Sequence, residues 1–141
     1  MRLVVIDTNV IVSAALTPAG TPGTIINEWV LETRIQAVTS PAVIQEYREV
    51  TSKAKFLPYG FPPRWLEVLI GRSLYLPDSG AWAHPLPDPD DEPFLALAHQ
   101  SDAWLVTGNL KHYATSSRAG VIVLSPADYL EHLERGDKPR R

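Results

Sequence analysis

Three carboxylates and one amide, far apart along the chain, are the side chains of this sequence best suited to chemistry. Asp7 opens Asp7-Thr8-Asn9 directly after the apolar run Leu3–Ile6. Glu46 lies in a helical pattern spanning 40–53, and Asp91 in the acidic string Pro87-Asp88-Pro89-Asp90-Asp91-Glu92. Asn109 follows Thr107-Gly108 at the end of a second apolar run, 104–107. Helical spacing selects among the acids. Val43, Tyr47 and Val50 form the inward stripe of their helix, and Glu46 borders it while Gln45 and Glu49 point away. Asp91 precedes Phe94, Leu95 and Ala98 at positions that share its face, with Asp90 and Glu92 about 100° to either side. An inward carboxylate is costly unless it is paired, protonated or bound to a metal. Three such groups close together raise one another's pKa unless a cation lies among them. With all-oxygen donors and no cysteine, that cation is Mg²⁺ or Mn²⁺ rather than zinc. The four histidines, His84, His99, His112 and His132, show no metal-ligand spacing and read as structural or exposed.

Each position has a plainer reading beside this one. Asp7 can cap the helix that follows it, and Asp91 can be an N-cap. Glu46 can pair with an arginine, and Asn109 can be an ordinary turn residue. What favours a site is convergence, and convergence depends on the elements that carry these residues.

Short β-branched runs at Leu3–Ile6, 35–38, 104–107 and 121–124 are continuously apolar. Strands buried on both faces of a parallel sheet look like this. Helical patterns separate them: Ile25, Ile26, Trp29 and Val30; the 40–53 helix; Leu66, Leu69 and Ile70; Phe94, Leu95 and Ala98; and Tyr129, Leu130 and Leu133. Thr21-Pro22, Ser40-Pro41 and Ser125-Pro126 each place a capping residue before a proline, so these prolines start helices. Alternating strands and helices predict an α/β domain of three layers, α/β/α, around a parallel sheet of four or five strands. In such sheets ligands bind beyond the carboxyl ends of the strands, which is where Asp7 and Asn109 fall. One domain is expected over 1–134. The stretch 135–141, with four basic residues, reads as a flexible tail.

Composition narrows the classes. The chain of 141 residues has 45% hydrophobic content, sufficient for a core, and no cysteine for a disulfide scaffold, a thiolate zinc site or thiol catalysis. No apolar run approaches the roughly 18 residues of a membrane span, and Asp7 interrupts the amino-terminal run too early for a signal peptide. A cytoplasmic protein is expected. The net charge of −3 gives no reason to expect a nucleic-acid partner and on its own suggests a small-molecule enzyme.

Taken in order, the motifs are more specific than any one alone. Asp7-Thr8-Asn9-Val10 after an N-terminal strand, Glu46 in the third helix, Asp91 before Phe94-Leu95-Ala96-Leu97-Ala98, and Thr107-Gly108-Asn109-Leu110-Lys111-His112 together resemble the PIN-domain family over nearly the whole chain. The likeness is greatest to the VapC-type toxin components of prokaryotic toxin–antitoxin pairs. It implies a Mg²⁺- or Mn²⁺-dependent endoribonuclease, with Asp7, Glu46 and Asp91 as metal ligands. The family's fourth acidic position falls on Asn109, whose amide can orient water but adds no charge, which puts a tightly held second metal in doubt. Thr8, Asn9, Thr107 and Lys111 are implied as groups that support the ligands or orient substrate. The implied partners are RNA, a cognate antitoxin and a second copy of the chain in a homodimer or higher oligomer. The alternative is a catalytically degenerate PIN fold that binds RNA or serves assembly. A dehalogenase-type phosphatase needs an acid where Asn9 stands, and a phospho-accepting receiver needs a lysine that 121–126 lacks. Setting Asp7, Glu46, Asp88, Asp90, Asp91 and Glu92 aside leaves ten acidic against thirteen basic residues, so the remaining charge is positive.

Overall fold

The four strands and five helices expected from sequence are present in the computed structural model, which describes residues 2–137, together with one further strand and one further helix. β1 (Leu3–Ile6), β2 (Gln36–Thr39), β3 (Leu74–Tyr75), β4 (Trp104–Val106) and β5 (Val123–Leu124) form one parallel sheet in the order β3-β2-β1-β4-β5. The helices flank it in three layers. They are α1 (Thr8–Leu16), α2 (Thr21–Thr24), α3 (Pro41–Thr51), α4 (Trp65–Arg72), α5 (Glu92–Ser101) and α6 (Pro126–Asp137), with α2 running on through Ile25–Val30 in wider π-helical turns. Val4, Val5, Ile6, Leu105 and Val106 are fully buried, as continuous apolar runs require when helices cover both faces.

β1 is the first strand in sequence and the middle one in space. The chain builds outward through β2 and β3, then crosses back to lay β4 on the other side of β1. The order therefore reverses between β1 and β4, which opens a crevice beyond their carboxyl ends. Their register pairs Ile6 with Val106 and joins Asp7 N–H to the Val106 carbonyl at 3.0 Å. Asp7 and Thr107 thus emerge side by side.

Local chemistry sets the helix starts. Ser40 caps α3, its hydroxyl accepting from Val43 N–H at 3.4 Å with Pro41 in the first turn. The Ser125 hydroxyl accepts from Asp128 N–H at 3.1 Å at the start of α6. Thr21 differs from expectation: it is the first residue of α2, and Gly20 holds the cap position without a side-chain bond. β3 went unrecognised because its two residues, Leu74 and Tyr75, are both exposed at the sheet edge, so burial left no apolar run. α6 extends to Asp137, which places Arg135 and Gly136 in the helix instead of in the expected tail; 138–141 lie outside the described residues. Among the described residues no helix is long and apolar enough to cross a membrane.

Candidate functional site

Asp7 is 4% exposed, and both of its carboxylate oxygens accept hydrogen bonds. Its Oδ1 accepts from Thr8 N–H at 2.7 Å, so it does cap α1. Its Oδ2 accepts from the Thr107 hydroxyl at 2.8 Å and from the Tyr113 hydroxyl at 2.9 Å. Burial nevertheless raises the Asp7 pKa above the usual carboxylate value, against the lowering effect of the bonds from Thr107, Tyr113, Thr8 and Asn9. Four donors stabilise the anion, and the cost of leaving water still exceeds them. The site is organised around a carboxylate in deficit of positive charge.

Thr107 is the hub. Its hydroxyl donates to Asp7 and accepts from Asn109 N–H at 3.0 Å and from Asn9 Nδ2 at 3.3 Å. Asn9 Oδ1 in turn accepts from Gly108 N–H at 2.7 Å. A Cβ at Gly108 would stand 3.0 Å from that oxygen, so glycine permits the approach. The expected supporting roles of Asn9 and Thr107 thus have a geometry: they tie the exits of β1 and β4 together. Thr8 is buried with its hydroxyl unpartnered, and Lys111 is exposed in the short turn Leu110–His112.

Asp91 closes the turn Pro89–Asp91 just before α5, which packs on β1, β2 and β4. It occupies the cap position but its side chain caps nothing. Capping in this turn falls to Asp88, which accepts from Asp90 N–H at 2.9 Å. Burial, then the Asp7 charge and the Asp88 charge, push the Asp91 carboxyl up to about 6, while His112 draws it down. His112 Nδ1 lies 3.3 Å from Asp91 Oδ2. The imidazole faces that oxygen, and its contact lowers the Asp91 carboxyl against the effect of burial. This contact corrects the sequence reading of His112 as merely structural or exposed.

Glu46 is positioned by its neighbour. The buried Tyr47 hydroxyl donates to the Ile6 carbonyl at 2.5 Å and fixes α3 against the end of β1. Glu46 is half-buried on that helix and, among the described residues, pairs with no arginine; Arg48 pairs instead with Glu67 at 2.8 Å. Burial raises the Glu46 pKa, and Asp90, Glu49 and Asp88 add to the rise against Lys53. Asp91 thus feels the charges of Asp7 and Asp88, and Glu46 those of Asp90 and Asp88, so one acidic field spans them. Among the described residues no three acidic or imidazole side chains close into a preformed metal cage. Asn109 is half-buried, and its backbone N–H rather than its amide is engaged.

Sequence reasoning missed Tyr113. It is fully buried, and burial followed by the Asp7 charge holds its hydroxyl protonated far above the ordinary tyrosine value, so it acts only as a neutral hydrogen-bonding group. The signal available was its place four residues after Asn109, beyond a turn that brings the chain back over the site. Among the cations of the chain, Arg72 donates to the Leu31 carbonyl at 2.6 Å and Arg118 to the Tyr113 carbonyl at 2.9 Å. Arg64 and Lys111 remain exposed.

An open parallel α/β sheet whose strand order reverses beside Asp7 and Thr107 puts these residues where such folds bind their ligands. The chain belongs to the PIN-domain family, whose model matches residues 3–111. PIN domains are generally nucleases, and PIN nucleases generally use divalent metal ions. A curated relative, the uncharacterized protein MJ1680 of Methanocaldococcus jannaschii, is 29% identical over 94% of this chain and 92% of its own length. Among solved structures, PAE2754 from Pyrobaculum aerophilum superposes with a TM-score of 0.64 at 14% identity, covering 95% of this chain and 90% of that one. VapBC2 from Rickettsia felis, bound to a DNA fragment from its promoter, gives 0.62 at 16% identity, with 88% and 98% covered. FitAcB from Neisseria gonorrhoeae gives 0.55 at 20% identity, again with 88% and 98% covered. These likenesses show the fold.

Removing the hub hydroxyl tests this description. Thr107→Val leaves Asn109 N–H without its acceptor and Asp7 Oδ2 with one donor fewer. It is expected to cost about 1–3 kcal/mol in urea-denaturation stability.

Proposed function

We propose that this protein is a divalent-metal-dependent endoribonuclease that hydrolyses RNA phosphodiester bonds in the cytoplasm. The observation that carries this reading is the Asp7–Asp91 pair: two carboxyls brought together at the end of the sheet, both raised in pKa by burial and Asp91 further by the Asp7 charge, with His112 Nδ1 3.3 Å from Asp91 Oδ2. The donor set fits Mg²⁺ or Mn²⁺, being all oxygen and in excess of negative charge. Asp7, Glu46 and Asp91 are the residues that would hold the ion. When bound, the ion supplies positive charge against the negative charge that develops on the phosphoryl oxygens during displacement.

The chain's own residues do the rest. Thr107 and Tyr113 donate to Asp7 Oδ2 and hold that carboxylate in one orientation. Glu46 is the carboxylate proposed to orient the attacking water and accept its proton, since burial and Asp90 raise its basicity. The Asn109 amide orients without adding charge, and Lys111 is proposed to meet the substrate phosphate. Fold likeness to VapBC2 and FitAcB supports a toxin role with a cognate antitoxin, and self-association as a homodimer or higher oligomer.

Cleavage of single-stranded RNA by the purified chain should stop in EDTA and return with Mn²⁺ or Mg²⁺. Cleavage that survives chelation sinks the reading. The uncharged Asn109 favours a second reading, a degenerate fold that binds RNA without cutting it. Titration calorimetry separates the two, because a degenerate site shows no saturable Mn²⁺ heat that Asp91→Ala removes.

A further inference from the structure

Between α3 and α4 the segment 53–64 reads Lys-Ala-Lys-Phe-Leu-Pro-Tyr-Gly-Phe-Pro-Pro-Arg, three cations and no acid. It is a built surface. A 3₁₀ turn at Ala54–Tyr59 ends on Gly60, whose φ of 76° is a left-handed conformation that suits glycine. Phe56 stacks on Phe61 with centroids 4.8 Å apart and planes 21° from parallel, and Phe61 is buried. This inner pair pins the turn and turns its other apolar residues outward. Leu57 is 63% and Tyr59 67% exposed, the highest values for large hydrophobics among the described residues. Around them stand Lys53, Lys55 and Arg64, none in an ion pair among the described residues. Lys55 lies 5.1 Å from the Phe56 ring centre, and Lys53 follows directly on Ser52, the cap of the helix that carries Glu46. The patch therefore continues from the end of that helix.

Charge and shape select the occupant. A second copy of the chain would have to bury three unpaired cations against a like surface. Duplex nucleic acid offers phosphates but keeps its bases stacked away from an exposed ring. A single strand supplies both phosphates for the cations and planar base faces for the aromatic ring. We infer that segment 53–64 is a docking platform for single-stranded nucleic acid, with Tyr59 stacking on a base and Lys53, Lys55 and Arg64 meeting phosphates beyond the end of α3. The inference rests on the nuclease reading only for why a strand should lie there; binding itself needs no metal and no cleavage.

Fluorescence anisotropy with a fluorescein-labelled single-stranded 12-nucleotide RNA, in EDTA, tests it apart from hydrolysis. Tyr59→Ala is expected to weaken binding about tenfold, and Tyr59→Phe to restore it, since stacking needs the ring and not the hydroxyl. Lys53→Ala with Lys55→Ala should reduce the slope of log K against log salt by about 1.4, at about 0.7 for each phosphate of a single strand that is no longer neutralised. Equal affinity of wild type and Tyr59→Ala overturns the platform, even if Mn²⁺-dependent cleavage is intact. So does equal binding of the matching duplex, or a Tyr59→Ala variant that loses self-association in sedimentation while RNA affinity stands. Loop-dependent binding by a chain that never cleaves RNA supports the platform and removes the nuclease reading instead.

Discussion

Asp7→Asn should abolish RNA hydrolysis and leave a folded protein whose melting temperature in EDTA is unchanged or a few degrees higher. The two effects have one origin. The Asp7 carboxylate is buried, its pKa is raised by that burial, and it faces Asp91. An amide of the same shape removes the desolvation cost of the charge and its repulsion of Asp91, while its oxygen still accepts from Thr8 N–H at the cap of α1. Against this, its NH₂ must find acceptors in the Thr107 and Tyr113 hydroxyls, a loss of about 1 kcal/mol for an imperfect fit. Function has no such compensation. A neutral ligand withdraws charge from a cation that works by electrostatic stabilisation, an effect of several kcal/mol, or about 10³-fold in rate. Gel-based cleavage and thermal melts on one preparation read both. Hydrolysis within tenfold of wild type removes Asp7 from the proposed site. A collapse in melting temperature shows instead that the carboxylate is chiefly needed to accept from the Thr107 and Tyr113 hydroxyls.

That a site can cost stability explains where the sequence was legible. β1 and β4 were plain because burial on two faces demands uninterrupted apolar residues, and their ends then had to present Asp7 and Thr107. Glu46 and Asp91 were legible because helical spacing turned them inward beside Val43 and Phe94. Tyr47 looked like ordinary core, and its hydroxyl bond to the Ile6 carbonyl is invisible to periodicity. His112 and Tyr113 were hidden for another reason. Their approach to Asp91 and Asp7 depends on a single turn, Leu110–His112, which has no repeat to read. Two-residue β3 lacked any burial signature.

The same carboxylates predict a pH response whose sign a metal should reverse. Asp91 has a folded pKa of about 6 against an ordinary 3.8, so between those values the native chain holds a proton that the unfolded chain releases. Stability therefore falls as pH rises through that window, and the raised Asp7 and Glu46 groups act in the same direction. In EDTA the melting temperature is expected to rise as the pH is lowered from 7 to 5, opposite to the usual behaviour of salt-bridged carboxylates. Mn²⁺ must displace those protons to bind, so its stabilisation grows with pH. At a hundredfold excess over Kd, binding contributes about 2.7 kcal/mol. For a domain of this length that is roughly 8 °C at pH 7, and it should shrink toward pH 5. Asp91→Asn should reduce the metal-free slope and abolish the Mn²⁺ shift together, since one carboxyl contributes to both. A Mn²⁺ shift that survives Asp91→Asn places the ion elsewhere. The absence of any shift at pH 7 leaves the degenerate, RNA-binding fold as the reading that stands.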